Sequence, residues 1–466
     1  MFVGFDYGTS NCAMAQVING GVNNGQARLI PLYNQNAFMP STLYAYERSF
    51  MAEAIWQQLP DGENKLQFAK SRSALLSQSR NGKAEHSLSN VSEGLFFGVD
   101  AIEHYIAAPS EGYFIKSPKS FLGASGLRQQ SVDFFEDVVA AMMLNVKTRA
   151  EQHLGETITQ AVIGRPVNFQ GINAQHSNQQ AQEILTAAGK RVGFTDIEFL
   201  FEPLAAGFDF ETRLTENKRV LVVDVGGGTT DCSMVLMGPG HIQRLDRAQD
   251  FLGHTGERIG GNDFDIQFAQ KLLMPEFGIL SPLTTGLPMP VMPFVNATAI
   301  NDIGAQTDFY DLKTTHLLEK LLRETTQPEL LNRFIAMRNA KHNFAVVREA
   351  EGGKIALSSQ DSYVVDLTFI EQHLLPQCTA AQYAEVSMPL LQKISILIED
   401  AVSQAGCQPD LVYLTGGSAK SPLIQQVIRK LFGSQVALVD GDHFGSVAAG
   451  LGVWASRVFG DNPRVN

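Results

Sequence analysis

Two short segments of this chain carry the same order of residue types, and that order suits phosphate chemistry. The first is VGFDYGTSNC, residues 3–12, and the second is VVDVGGGTTDC, residues 222–232. In each, an apolar run leads to an aspartate, then to glycine and hydroxyl residues, before the sequence turns apolar again. This order predicts a β-hairpin with a polar tip. Its repetition predicts two related lobes.

The polar tips have the groups that bind a phosphate and a divalent cation. Glycine allows the backbone to turn so that consecutive N–H groups face an anion, and the neighbouring hydroxyls add donors. Asp6 and Asp224, at the strand ends, can hold Mg²⁺ directly or through its water shell. The tip residues are Gly8, Thr9, Ser10, Gly226, Gly227, Gly228, Thr229 and Thr230. One such segment alone could be a structural turn, but the pair favours nucleotide binding.

Composition describes a globular protein of several domains. The chain has 466 residues, of which 44% are hydrophobic and 18% charged. That length fits two or three domains, and that composition is typical of an ordered protein. The net charge of -12 and the lack of a basic block argue against a nucleic-acid surface.

Targeting signals and metal-binding cysteine patterns are not recognisable. The first residues enter a predicted strand at once, and no apolar run approaches the length needed to cross a bilayer. The four cysteines lack CxxC spacing, which indicates a reducing compartment and no zinc site. We therefore expect a cytoplasmic protein without a membrane partner.

Strand and helix patterns alternate along the chain. Helical spacing predicts helices over 132–154, 174–188, 314–347, 388–405 and 422–432, and apolar runs predict strands over 161–167, 363–367 and 411–417. Their alternation predicts an α/β architecture with mostly buried sheets. The polar stretch 79–90 is expected to be an exposed loop in a smaller peripheral subdomain, and 274–296 an irregular insertion. The small residues of 445–455 predict a helix that packs closely on a sheet.

Four further motifs follow in a fixed order. They are FEPLAAGF (201–208), GERIGGNDFD (256–265), EGGKIALSS (351–359) and LTGGSAKSPLI (414–424). With the two hairpins, they resemble the DnaK family of heat shock protein 70 chaperones, within the actin-like ATPase superfamily, and most nearly its YegD group. The GERIGGNDFD segment resembles an element specific to the chaperone branch.

The resemblance implies a two-lobed α/β actin-like ATPase, built of duplicated ribonuclease-H-like domains with peripheral subdomains around a central nucleotide cleft. Lobe I is expected over 1–216, with the last helix, 443–460, returning to it. Lobe II is expected over 217–442, with an adenosine-binding helix and an insertion at 274–326. The chain ends at Asn466, too soon after the last helix for a domain of at least ~50 residues. We therefore expect no peptide-binding domain.

Catalytic and metal-binding roles follow from the same resemblance. Asp6, Glu202 and Asp224 are expected to hold hydrated Mg²⁺, and Glu202 also to orient the attacking water, because phosphoryl transfer depends on positioning and charge neutralisation. Glu202 could equally be a helix N-terminal acid, and both roles are compatible. Lys119 resembles the catalytic lysine that meets the γ-phosphate, with Lys116 as a competing candidate.

The remaining expected contacts are with the γ-phosphate and with adenosine. Thr229 and Asp231 match residues that act near the γ-phosphate. The adenosine contacts are expected from one face of a helix and from a glycine turn, through Glu351, Lys354, Ser358, Gly416, Gly417, Ser418 and Lys420. Lys420 stands where the family usually has an arginine. Because lysine stacks less well than a guanidinium, this position predicts weaker nucleotide binding.

The resemblance implies an ATP-binding protein with slow, Mg²⁺-dependent hydrolysis. It would act as a nucleotide-dependent conformational switch, in a chaperone or regulatory role that needs a protein partner or client. Two other classes share the hairpins and stay open at this point. One is a small-molecule kinase of the sugar kinase type, and the other is an actin-like filament or scaffold protein.

Overall fold

The computed structural model describes residues 1–17, 27–109, 111–167, 169, 174–242, 244, 247–441 and 445–460. Its strands are β1 (Phe2–Tyr7), β2 (Asn11–Val17), β3 (Ala27–Ile30), β4 (Met39–Pro40), β5 (Thr42–Ala45), β6 (Leu95–Phe97), β7 (Tyr113–Lys116), β8 (Gln160–Arg165), β9 (Asp196–Phe201), β10 (Lys218–Val225), β11 (Thr230–Met237), β12 (Phe251–Glu257), β13 (Ser362–Val364), β14 (Gln377–Thr379), β15 (Leu411–Thr415) and β16 (Ala437–Asp440).

The helices lie between these strands, singly or in series. They are α1 (Ser49–Gln58), α2 (Glu63–Ser71), α3 (Ser73–Glu85), α4 (Val99–Ala107), α5 (Gln129–Leu154), α6 (Ala174–Arg191), α7 (Glu202–Glu211), α8 (Gly261–Phe268), α9 (Met292–Thr298), α10 (Ile303–Tyr310), α11 (Leu312–Glu324), α12 (Pro328–Asn339), α13 (Asn343–Ala356), α14 (Ala380–Ala405), α15 (Pro422–Phe432) and α16 (Ser446–Phe459). No helix in the described ranges is long and apolar enough to cross a membrane.

The chain divides into two compact units. The first comprises Met1–Arg258, Ser395–Lys420 and Ile428–Asn466, and the second comprises Ile259–Ile394 and Ser421–Val427. Both predicted phosphate hairpins therefore belong to the first unit, whereas most of the 274–326 insertion and the helix α13 belong to the second.

Two sheets of the first unit have the same topology. The first sheet has the order β3-β2-β1-β8-β9, with β4 beside β2, and the second has the order β12-β11-β10-β15-β16. In both, the first three strands are antiparallel and the last two run parallel to the central strand. Each phosphate segment forms the central hairpin of its sheet, β1–β2 or β10–β11. The duplication predicted from the repeated sequence is therefore confirmed in the folded chain.

The sheet topology explains why the polar residues collect at strand ends. Strands β1, β8 and β9 run in the same direction, so their carboxyl ends meet at one edge of the sheet. Asp6 lies near that end of β1, and Glu202 follows β9 directly. In the second sheet, Asp224 near the end of β10 lies beside Thr415 at the end of β15.

The last helix packs on the first sheet through small residues, as the sequence predicts. A Cβ at Gly4 of β1 would lie 2.1 Å from the backbone nitrogen of Gly452, and a Cβ at Gly450 would lie 1.7 Å from the carbonyl oxygen of Ala205 in α7. Only glycine allows so close an approach. The helix begins at Ser446; the predicted start at 443 falls among residues 442–444, which lie outside the described residues.

The prediction of an exposed loop over 79–90 is wrong for most of that segment. Residues up to Glu85 continue α3, with Ser79 and Gly82 buried. A Cβ at Gly82 would lie 3.1 Å from a ring carbon of Phe50 in α1, so the helices pack at a glycine. The buried side of α3 is formed here by small and polar residues, which a hydrophobicity pattern does not detect. The surrounding region contains a separate three-stranded sheet with the order β6-β5-β7, and its being a smaller subdomain stays a prediction.

The second unit is mostly helical. Residues between Phe277 and Met292 have no regular helix or strand apart from an isolated bridge at Leu283, which agrees with the predicted irregular insertion. The helical pattern over 314–347 corresponds to α11, α12 and the start of α13, because the chain turns at Thr325 before Pro328 begins a new helix. Helix α14 begins earlier than predicted, at Ala380, and continues through Pro389.

Candidate functional site

The tips of both hairpins are fixed by local hydrogen bonds. In the second hairpin, the Gly226 N–H donates to the Thr229 carbonyl over 2.9 Å and closes the turn. The first tip is held by Ser41, whose hydroxyl donates to the Gly8 carbonyl over 2.7 Å and whose N–H donates to the Ser10 carbonyl over 2.8 Å. Hydrogen bonds to the protein backbone therefore fix the conformation of both tips without a ligand.

The two tips lie against each other. A Cβ at Gly227 would lie 1.7 Å from Ser10 Oγ, and a Cβ at Gly228 would lie 2.6 Å from Thr9 Cγ2. Any side chain at Gly227 would displace the opposite tip. The structure thus brings together the two segments that the sequence singled out separately.

Four carboxyl groups interact electrostatically at the ends of the central strands. Burial raises the pKa of Asp6 to about 7; the Glu202 carboxylate adds to the increase and Lys119 opposes it. Burial, again reinforced by Glu202, also raises the pKa of Asp231 to about 7. The pKa of Asp224 is raised well above its ordinary value, by burial and then by Glu202, Asp231 and Asp6. The cluster disfavours its own negative charge, so a bound cation would be favourable here.

Lys119 is the cation that the fold places beside these carboxyl groups. It lies in a 3₁₀ turn, Pro118–Phe121, and is almost fully buried. Its Nζ contacts Glu202 Oε1 and donates to the Gly164 carbonyl oxygen over 3.2 Å. Lys116 instead lies on β7, paired with Thr42. This geometry favours Lys119 over Lys116 as the lysine of the site.

Glu202 is positioned by the start of a helix, and Asp231 is held by hydrogen bonds. Glu202 is the first residue of α7, followed by Pro203, which is the arrangement expected for a helix N-terminal acid. Asp231 accepts the Val167 N–H over 2.9 Å and the hydroxyl hydrogen of Thr229. Asp231 thereby orients the Thr229 side chain towards its own strand.

A narrow cleft joins these residues. It encloses about 20 Å³, which is space for about one water. Its lining consists of Thr9, Lys119, Ser120, Pro166, Phe169, Glu202, Gly228, Thr229 and Arg258. Sequence reasoning missed Ser120, Pro166, Phe169 and Arg258. Two of them had a detectable signal, because Ser120 follows Lys119 and Arg258 lies inside the GERIGGNDFD motif.

The donor chemistry fits Mg²⁺ held through water better than a bare ion. Asp6, Glu202 and Asp224 offer only carboxylate oxygens, which Mg²⁺ prefers. Across the described ranges, however, no group of three or more His, Cys, Asp or Glu side chains is close enough to hold a metal directly. A hydrated ion, which keeps several waters and also binds substrate phosphates, is the form that these carboxylates fit.

The glycine turn after β15 packs on the second hairpin. Gly416 has a φ of +88°, and a Cβ there would lie 2.4 Å from Asp224 Oδ1. The Ser418 hydroxyl donates to the Gly226 carbonyl oxygen over 3.1 Å. Gly417 and Lys420 belong to the 3₁₀ turn that follows, and Lys420 is exposed. The turn predicted to face the nucleotide therefore contacts one of the two phosphate tips directly.

The predicted adenosine residues of the second unit are arranged differently from the expectation. Glu351 and Lys354 lie on α13, but that helix ends at Ala356, so Ser358 lies in the following turn. The prediction that all three share a helix face is wrong for Ser358. Its hydroxyl donates to the Lys354 carbonyl oxygen over 3.0 Å.

Lys354 has partners inside its own unit. Its Nζ lies 2.7 Å from Asp265 Oδ1 and donates to the Gly261 carbonyl oxygen over 3.2 Å. The pKa of Lys354 is raised because the Asp265 and Glu351 carboxylates outweigh its burial. Lys354 thus ties α13 to the start of α8, a structural role that the sequence did not reveal.

Comparison with known proteins gives a consistent result. The family model described as "Hsp70 protein" matches residues 126–279 and 295–462. The chain is 26% identical over 309 residues to the chaperone protein dnaK of Emiliania huxleyi, covering 64% of this chain and 39% of that relative. It is likewise 26% identical over 309 residues to the chaperone protein dnaK of Cyanidioschyzon merolae, of which it covers 40%. The chain thus spans less than half the length of these two curated relatives.

Proposed function

The chain belongs to the Hsp70 family, and from that membership and the geometry of its cleft we propose that it binds ATP and ADP with Mg²⁺ and hydrolyses ATP slowly. The α/β actin-like ATPase fold predicted from the sequence is confirmed by the family and agrees with the duplicated sheets. One observation carries the proposal: both phosphate hairpins meet at a cleft that also contains Lys119 and Glu202.

The two tips form the phosphate site in this proposal. Backbone N–H groups and hydroxyls from both hairpins donate to the phosphate oxygens of the nucleotide. The residues are Gly8, Thr9, Ser10, Gly226, Gly227, Gly228 and Thr229. Because the tips pack against each other at Ser10 and Gly227, entry of a triphosphate requires them to separate.

Asp6, Glu202 and Asp224 hold hydrated Mg²⁺ in the proposed complex. When bound, the ion neutralises charge on the phosphates. Support comes from the raised pKa values of Asp6 and Asp224, which burial and then the Glu202 carboxylate cause and which a positive charge relieves. The same carboxylates explain why the cleft contains a buried lysine.

Hydrolysis depends on how the protein positions its water and its hydroxyl groups. Glu202, oriented by its contact with Lys119, accepts a hydrogen bond from the attacking water. Lys119 donates to a γ-phosphate oxygen, which stabilises the charge that the transferring group carries. Thr229, whose hydroxyl donates to Asp231 without nucleotide, exchanges that hydrogen bond for one to a second oxygen. Rates are expected to be slow because no stronger base than a carboxylate faces the water.

Adenosine binding is proposed at the glycine turn and at α13. The residues are Gly416, Gly417, Ser418, Lys420, Glu351, Lys354 and Ser358. Support for the turn is its contact with Asp224 and Gly226. Lys354 would have to share its ammonium with Asp265, and this sharing, with lysine at 420, is expected to weaken nucleotide binding.

We further propose that ATP and ADP favour different conformations and that a protein partner or client distinguishes between these conformations when it binds. Lobes at 1–216 and 217–442, the YegD subgroup and a cytoplasmic location remain predictions. The insertion at 274–326 is a candidate partner surface, since Leu280, Leu287 and Met292 are exposed apolar side chains there. The name chaperone belongs to the relatives, and such a role for this chain is part of the proposal.

Calorimetric titration with Mg²⁺-ATP, followed by single-turnover hydrolysis, tests the proposed activity. We expect Lys119→Ala and Glu202→Ala to lower the hydrolysis rate by about 10²-fold or more, the usual size for a positioned charged or general acid–base group, while binding is retained. Lys116→Ala is the matched control and should hydrolyse ATP as the wild type does.

Failure of the wild type to bind either nucleotide would contradict the proposal. A kinase of the sugar type would instead phosphorylate a metabolite in a screen, and a filament protein would scatter light after addition of ATP. Neither alternative has a specific observation in its favour in the folded chain.

A further inference from the structure

Arg258 lies in the wall of the cleft because of the pairing between β11 and β12. It follows β12 directly, and Glu257, the last residue of β12, pairs with Thr230 at the start of β11. The antiparallel pairing therefore places residue 258 next to the tip of the second hairpin. There the Arg258 side chain lines the cleft together with Thr9, Lys119 and Thr229.

Lys119 and Arg165, which also lie near the carboxyl groups, have protein acceptors of their own. Lys119 is engaged by Glu202 and by the Gly164 carbonyl oxygen. Arg165 donates from Nε to the Pro166 carbonyl oxygen over 3.2 Å and from Nη2 to the Val167 carbonyl oxygen over 3.1 Å. Its guanidinium also lies 4.8 Å from the centre of the Phe201 ring. Arg165 is thus folded onto the protein and is absent from the cleft lining that the described residues form.

The charge around the cleft gives a second argument. Asp6, Glu202, Asp224 and Asp231 are four carboxyl groups that interact electrostatically beside this cleft. A terminal phosphate entering among them needs positive charge of its own. A guanidinium is suited to this, because its planar set of donors matches two phosphate oxygens at once and it stays charged when partly buried.

We propose that Arg258 binds the terminal phosphate and so sets the preference of this site for ATP over ADP. This inference rests on the proposed nucleotide binding and names a residue that the phosphate hairpins themselves do not supply. Arg258 touches the γ-phosphate in the ATP complex and has no phosphate within reach in the ADP complex. Its contribution is therefore specific to the triphosphate.

The test compares affinities for ADP and for a non-hydrolysable ATP analogue, both with Mg²⁺, by calorimetry on the full chain. Arg258→Gln should weaken binding of the analogue by about tenfold or more, the size of a lost charge-assisted contact. Binding of ADP should change by less than about twofold on the same scale. Arg258→Lys should fall between wild type and Arg258→Gln, because a lysine contacts phosphate as a point charge.

Arg219→Gln is the matched control. Arg219 is an exposed arginine at the opposite end of the second sheet, paired with Asp410, and its variant should bind both nucleotides as the wild type does. Thermal melting without nucleotide identifies a folding defect, in which case Arg258→Lys carries the comparison. Equal losses for both nucleotides, or no loss for the analogue, overturn the inference while leaving the proposed function intact. A wild type that binds neither nucleotide overturns both.

Discussion

The carboxyl groups of the cleft are in an unfavourable state when no cation is bound. Asp6 is a partly buried acid and Asp231 a buried one, and their pKa values are both raised to about 7. An aspartate in the unfolded chain titrates at about 3.9. The folded state therefore binds protons more tightly than the unfolded state over that interval, and stability falls as the pH rises through about 7. The ionised carboxylates of the cleft thus destabilise the folded state, and a bound cation can offset this effect.

The raised pKa values predict that replacing either acid by an uncharged residue changes stability in a pH-dependent way. In the absence of metal and nucleotide, Asp6→Asn and Asp231→Asn should each increase the free energy of unfolding at pH 8 by on the order of 2 kcal/mol. At pH 5 the increase should be much smaller, because the acids of the folded wild type are then protonated. Urea denaturation at the two pH values measures the difference.

Asp61→Asn serves as the control, since Asp61 is an exposed side chain that pairs with Lys65 at the surface. Its effect should be small at both pH values. An equal effect of Asp231→Asn at pH 5 and pH 8 would contradict the raised pKa and, with it, the case for a cation at this position.

Residue types and spacing located much of the candidate site. The order Asp, Gly, hydroxyl selected Asp6 and Asp224 together with both tips, because phosphate and magnesium chemistry requires those side chains. Contacts between segments that are distant in the sequence could not be predicted from residue types and spacing. Two examples are the ion pair between Lys354 and Asp265 and the hydrogen bond from the Val167 N–H to Asp231. Both depend on the folded arrangement, and no local sequence pattern predicts them.

Elements were predictable where their apolar pattern was strong. Helices α5, α6 and α15 and the two hairpins appear close to their predicted positions, because regular burial of one face leaves a clear period in the sequence. Helix α3 was not, since its buried positions include Ser79 and Gly82. Helix α14 was predicted too short because Pro389 lies inside it, and proline normally favours a helix boundary.

The packing of α16 gives a prediction at this scale. Gly450→Ala should lower the free energy of unfolding by about 1–3 kcal/mol, the usual cost of overpacking, because its Cβ would lie 1.7 Å from the Ala205 carbonyl oxygen in α7. Gly352→Ala in α13 is the matched substitution. Its Cβ has no neighbour closer than the Tyr363 hydroxyl at 3.7 Å, so the gain in helix propensity should stabilise the protein by up to about 1 kcal/mol.

Urea denaturation of both variants decides the matter. Opposite signs are expected, whereas a stabilising Gly450→Ala would mean that α16 does not approach α7 as described. Because Glu202 begins α7, a destabilised Gly450→Ala should also hydrolyse ATP more slowly than Gly352→Ala, so this contact connects the fold to the site.

At the scale of the whole molecule, the duplicated sheets explain how one chain forms a site from two segments more than two hundred residues apart. Each sheet supplies a hairpin, and each hairpin supplies a tip and an aspartate. Family membership agrees with this organisation. The matched part of this chain covers only 39% and 40% of the two relatives, so chaperone activity, clients and partners are proposals to be tested on this protein.

The central claim is that one Mg²⁺-nucleotide binds where the two hairpin tips meet. A crystal structure with Mg²⁺ and a non-hydrolysable ATP analogue tests it most directly. We predict that the γ-phosphate lies between Thr9 and Thr229, within hydrogen-bond distance of Lys119, and that the ion's waters contact Asp6 and Asp224. A nucleotide bound elsewhere, with the tips still packed at Ser10 and Gly227, would contradict the account.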